Sequence, residues 1–90
     1  MHMTAQTKPK HRRETCYRAN GSVWAIHSFR NGERHWRTTY YRPGGSVEAI
    51  DNYRHGKLHG RMMRYRSDGS VWVVENFRNG ERHGPQYGDG

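Results

Sequence analysis

The chain is 90 residues long and carries 16 Lys and Arg against 8 Asp and Glu, a formal charge of +8 with a pI near 10.3. That length allows one domain, and Leu, Ile, Val and Phe together number only ten, which excludes a large buried core. A single cysteine excludes an intramolecular disulfide; with no apolar run the length of a spanning helix or a signal-peptide core, a cytoplasmic address is expected.

Residues 1–10, MHMTAQTKPK, are polar and hold Pro9 between two lysines, which predicts a flexible basic tail. Three copies of a 24-residue unit follow without insertion or deletion: Cys16 to Thr39, Tyr40 to Met63 and Arg64 to Tyr87. They share the frame Y-R-x-x-G-S-V and then F/Y-R-x-G-x-x-H. The frame begins a half-unit earlier, at His11, so the repeat domain is expected to span 11–87, with 88–90 as a short tail. Low hydrophobicity with high charge ordinarily describes a disordered chain. A fixed period holding aromatics and turn glycines argues for order instead.

Each unit contains two turn dipeptides. One set is Asn20-Gly21, Gly44-Gly45 and Asp68-Gly69; the other is Asn31-Gly32, His55-Gly56 and Asn79-Gly80. Such pairs supply the positive φ of two-residue hairpin turns. Six of them, spaced alternately by 11 and 13 residues, leave no room for helices. The expected fold is therefore all-β: a single elongated, twisted antiparallel meander of about seven short strands built from three hairpin repeats.

If every turn has two residues, the faces follow from period-two alternation. One face would carry Tyr17, Tyr41 and Tyr65 beside Ile26, Ile50 and Val74, with Trp24 and Trp72. The other would carry Val23, Ala25 and Phe29 and their equivalents, with Trp36 and Tyr40. A single bulge would exchange the faces beyond it. One sheet cannot shelter two apolar stripes, so either it curls on itself or a second chain covers one side; self-association or a partner is expected.

The residues Tyr17, Asn20, Gly21, Val23, Phe29, Asn31 and Gly32, with Tyr41, Gly45, Val47, Tyr53, Gly56, Lys57, His59 and Gly60, and with Tyr65, Asp68, Gly69, Val71, Phe77, Asn79, Gly80, His83 and Gly84, make the unit resemble the MORN repeat. It is most similar to the variant found in small bacterial and phage proteins, some of them described as antitoxin components. The resemblance implies an elongated β-hairpin array serving as a scaffold, dimerisation or lipid-associated module, with no catalytic residues. Trp36 departs from the pattern by standing where Gly60 and Gly84 stand. If that glycine allows close packing between hairpins, Trp36 marks a cap or a local contact site. Arginines replace the acidic residues that follow the tyrosine in common MORN units.

Three arginine ladders run through the repeats: Arg13/Arg37/Arg61, Arg18/Arg42/Arg66 and Arg30/Arg54/Arg78. Residues two strands apart lie roughly 9–10 Å from each other. With Tyr17, Tyr41, Tyr65, Trp24, Trp36 and Trp72 they are the candidate partner-binding residues, since guanidinium groups pair with acidic groups and aromatics stack on bases. The plainer role of such arginines is to keep sheet edges soluble. The expected partner is an acidic protein surface or a second copy of the chain in a homodimer. A nucleic acid is the alternative and an anionic membrane the second alternative; no small-molecule substrate is expected.

His11, His35, His59 and His83 form a ladder of their own, but rungs ~9–10 Å apart cannot share a metal ion. A structural role, hydrogen-bonding a turn carbonyl, is expected. No nucleophile–histidine–acid set and no phosphate-cradling loop is present in the sequence, so no enzyme activity and no cofactor are expected.

Overall fold

The computed structural model describes residues 10–84 together with the backbone of Tyr87–Gly88. The expected tails, 1–10 and 88–90, lie outside the described residues apart from Lys10 and the Gly88 backbone. The chain forms β1 (His11–Tyr17), β2 (Val23–Arg30), β3 (Glu33–Arg34), β4 (Trp36–Tyr41), β5 (Val47–Arg54), β6 (Lys57–Tyr65), β7 (Val71–Arg78), β8 (Glu81–Arg82) and β9 (Tyr87–Gly88). All pair antiparallel in one open sheet of order β1-β2-β4-β5-β6-β7-β8, with β3 on β2 and β9 on β7. This is the expected meander. β3 and β4 are two pieces of one rung, broken at His35; β6 runs unbroken through the equivalent place in the second unit.

The Asn31-Gly32, His55-Gly56 and Asn79-Gly80 turns are two-residue loops with positive φ at both positions. They join the facing pairs Arg30–Glu33, Arg54–Lys57 and Arg78–Glu81. Each turn also seats on the rung before it. Gly56 N–H donates to the Arg34 carbonyl at 2.9 Å and Gly80 N–H to that of Leu58 at 2.8 Å.

The other turn family corrects the two-residue expectation. Gly21 N–H donates to the Arg18 carbonyl at 2.9 Å while Arg18 N–H donates to Ser22 at 2.7 Å, which encloses three residues. This is a type I turn closed by a left-handed glycine, Gly21 at φ +91°. Asn20 Oδ1 accepts from both the N–H and the hydroxyl of Ser22. Asp68 does the same for Ser70, whereas Gly44 has no side chain with which to do so.

The extra residue is absorbed by a bulge at the same place in each unit, at Cys16/Tyr17, Tyr40/Tyr41 and Arg64/Tyr65. The tryptophan assignments change in consequence, and Val23 moves from the side expected for it to that of Ile26 and Tyr41. Trp24 joins the side of Ala25, its ring 6.0 Å from Tyr40 and 6.4 Å from His27. Trp72 lies with Tyr40, Ala49 and Asp51 on that side too. Trp36 makes the opposite move. Its left-handed backbone, φ +66°, turns the indole against His11, 4.7 Å away.

Ala25 and Ala49 are the buried apolar side chains among the described residues, joined by His27, Thr38 and Asp51. The five lie on one side of β2, β4 and β5, the alanine face. Small residues there let Trp24, His27, Tyr40 and Phe29 close over the sheet ring to ring. This side thus shelters itself in part by its own side chains, while the sheet stays open. Burial raises the Tyr40 phenol above its ordinary pKa, with Tyr53 and Asp51 adding to the rise against Arg34.

Candidate binding face

Alternation along the strands puts the outermost arginines of the sheet on the other side. Arg13 faces Ser28, Arg37 faces Asn52 and Arg61 faces Asn76 across neighbouring strands. Arg13, Arg37 and Arg61 are exposed, and no ion pair or hydrogen bond engages their guanidinium groups among the described residues. Asn52 is held in place by donating to the Arg61 carbonyl at 2.8 Å. The result is a row in which arginine alternates with a short hydroxyl or amide.

Two residues further along lie Ile26, Thr39, Ile50, Met63 and Val74, half-buried and paired in that order, so that the Thr39 methyl and hydroxyl stand between Ile26 and the continuous run of Ile50, Met63 and Val74. Beyond them runs the tyrosine ladder. Tyr17 is 63 % exposed, Tyr41 borders Ile26, and the Tyr65 hydroxyl donates to Met63 Sδ at 3.6 Å. The arginine face thus has an apolar stripe with guanidinium groups on one flank and phenols on the other. Four residues, roughly 13 Å at ~3.3 Å each, separate the two flanks.

Arg30, Arg54 and Arg78 are exposed at the turn edge of this face. Arg30 and Arg78 face Glu33 and Glu81, but Arg54 faces Lys57. Like charges directly opposite are destabilising, and the turn edge is accordingly most positive at Arg54 and Lys57.

The third ladder has a different use. Arg42 donates to the Val47 carbonyl at 3.1 Å and the Arg66 carbonyl at 3.4 Å, and also to the Tyr65 carbonyl. Arg18 likewise donates to the Tyr41 carbonyl, and Arg66 donates to the Val71 carbonyl at 3.2 Å. Arg18 and Arg42 tie each unit's turn to the next, and all three are half-buried. Their guanidinium groups are spent on backbone carbonyls.

Two rungs of the histidine ladder are structural, with the bond reversed from the expected one. His35 Nδ1 accepts the His55 N–H at 3.4 Å, and His59 Nδ1 accepts the Asn79 N–H at 3.2 Å. The imidazoles receive from turn amides; they do not donate to turn carbonyls. No group of three side chains that could hold a metal ion occurs among the described residues.

One column escaped the sequence reading. His27, Asp51 and Glu75 occupy the same repeat position on the alanine face. His27 lies 3.4 Å from the Thr38 hydroxyl, Asp51 binds Arg64 at 2.9 Å and Glu75 binds Arg82 at 2.7 Å. Burial, then the nearby Arg34, lowers the His27 pKa, with Glu14 opposing. Stacking the copies reveals the signal: one polar, titratable position kept amid small and apolar ones. The acids are neutralised within the sheet, which leaves the arginine face as the unbalanced one.

No known protein family, curated protein or solved structure matches the chain. Among the described residues no helix is long and apolar enough to cross a membrane.

Proposed function

We propose that this is a non-catalytic binding module, a cytoplasmic hairpin-repeat protein of MORN type, that takes an acidic protein surface on its arginine face. The observation that carries this is the apolar stripe of Ile26, Ile50, Met63 and Val74 between unpaired arginines and exposed tyrosine. An apolar centre with a polar, aromatic and arginine-bearing margin is the anatomy of a protein interface. The sign of the charge selects acidic partners. The six main strands span about 24 Å by ~26 Å, roughly 600 Å² in projection, close to the ~800 Å² each partner contributes to an ordinary complex.

Nucleic acid fits less well. Trp24 and Trp72 lie on the face opposite Arg13, Arg37 and Arg61, which leaves base stacking beside the arginine row to Tyr17, Tyr41, Tyr65 and Trp36 alone. Three probes discriminate: a peptide alternating Glu with Leu, poly-glutamate, and an oligothymidylate. The mixed peptide is expected to bind most tightly and with the weakest salt dependence. An oligothymidylate that binds tightest, with log affinity falling linearly in log salt, would overturn the assignment. Lys57→Glu is expected to weaken peptide binding while relieving the repulsion at Arg54.

A further inference from the structure

We propose that the groove at the β1 end of the arginine face binds a nucleoside monophosphate, with phosphate on Arg13 and Arg37 and the base against Trp36. The groove holds about 620 Å³ and is lined by His11, Arg13, Ser28, Trp36, Arg37 and Asn52. That volume falls within the ~300–1,000 Å³ of small-molecule sites.

Two departures from the repeat meet here. Position 28 is Ser where the sister units have Asn52 and Asn76, which lowers the floor between Arg13 and Arg37. Position 36 is Trp where they have Gly60 and Gly84, which raises a wall. The glycines are there for backbone conformation and not for space: a Cβ on Gly60 would come no nearer than 3.7 Å to Asn52, and one on Gly84 would meet nothing within 4 Å. Trp36 adopts the same left-handed backbone, at φ +66°, which is costly for a bulky residue. A strained residue that persists at the rim of a groove points to a ligand role.

The chemistry of the lining matches the ligand. Arg13 and Arg37 lie two strands apart, roughly 9–10 Å along the sheet, and both line the groove with Ser28 between them. Two forked guanidinium groups, a hydroxyl and an amide supply the donors a phosphate monoester needs. The indole is steadied by His11 and by His35, whose ring stands edge-on at 4.6 Å. It stays 42 % exposed, which leaves surface for a purine or pyrimidine to stack on. The site is built on β1, β2 and β4 with Asn52 of β5 and does not depend on the acidic-partner assignment.

Calorimetric titration of the full chain with adenosine monophosphate, adenosine and inorganic phosphate tests the proposal. The nucleotide is expected to bind about tenfold or more tightly than either fragment, the scale of one stacked base. Trp36→Gly and Ser28→Asn each install the residue the sister units carry, so the fold is retained. Each is expected to lose about tenfold in nucleotide affinity, while Arg61→Ala changes nothing here but weakens the acidic peptide. Nucleotide binding no tighter than phosphate, or a Trp36→Gly titration that superimposes on the parent's, overturns the site. A 5′-phosphorylated oligonucleotide that outbinds the free nucleotide, and loses this when dephosphorylated, makes the strand end the source; weaker oligonucleotide binding makes it the free nucleotide.

Discussion

His35 Nδ1 accepts the backbone N–H of His55 at 3.4 Å, joining the first hairpin unit to the turn of the second. The bond exists only while that nitrogen is unprotonated. Burial, then Arg30, His55 and Arg54, hold the His35 pKa below 6.5 against Glu33, and His27 is lowered too. Both groups bind protons less readily folded than unfolded. Their stabilisation is complete above pH 6.5 and is lost as pH falls through that value toward the lowered folded pKa values. Thermal unfolding followed from pH 8 to pH 5 is expected to show a falling Tm below that point. His35→Asn keeps an acceptor that does not titrate, and is expected to flatten part of the fall. A Tm constant over this range would remove both histidines from the account.

Gly44 is the weak turn residue of the three. Asn20 and Asp68 each accept two hydrogen bonds from the serine two residues on, and those bonds hold the Asp68 carboxyl below its usual range. A Cβ at Gly44 would meet nothing within 4 Å. Gly44→Asn should therefore gain the side-chain bonds to Ser46 and reduce the freedom of the unfolded chain, about 0.5–1 kcal/mol together. At roughly 4–8 °C per kcal/mol for a domain this size, differential scanning calorimetry resolves the rise. An unchanged or lowered Tm would show that the second turn needs glycine for another reason.

These turns also show what was legible in the sequence. Asn31-Gly32 and its equivalents fix a two-residue turn through backbone preference alone, so the meander and its period follow from the dipeptides. Asn20-Gly21 looks the same on the page. There, however, a third residue enters the loop, even at Gly44-Gly45 where no side chain binds the serine, and a bulge in each unit absorbs it. A single residue's shift carries Trp24 and Trp72 across the sheet, which period-two counting misses. The Arg13 row was legible as a ladder because it is exposed and repeated. Arg18 and Arg42 repeat just as faithfully, yet their roles are set by carbonyls 23–24 residues away that no local pattern displays.

Arg42 and Arg61 supply a direct comparison between a guanidinium spent on the fold and one left for a partner. Arg42→Ala strips three carbonyls of a charged donor. It is expected to cost about 1.5–3 kcal/mol, the scale of a hydrogen bond to an ionised group. Arg61→Ala, at an exposed site, should stay within about 0.5 kcal/mol. Urea unfolding of both variants measures the difference. Equal losses would mean that the arginine row also supports the sheet.

The Asp51–Arg64 pair tests whether a polar centre can help stabilise so thin a sheet. The Asp51 side chain is 8 % exposed and Arg64 Nη1 lies 2.9 Å from its Oδ1. Arg12 and Glu14, by contrast, are both about half exposed and 3.7 Å apart. Solvent screening leaves an exposed pair worth about 0–1 kcal/mol, whereas a pair with one buried member loses more because the surviving charge is left uncompensated. A double-mutant cycle on Asp51→Asn and Arg64→Gln is expected to give a coupling of about 1–3 kcal/mol. The same cycle on Arg12→Gln and Glu14→Gln is expected near zero. Equal couplings would show that Asp51 is effectively hydrated, and that the position shared with His27 and Glu75 does not act as part of the core.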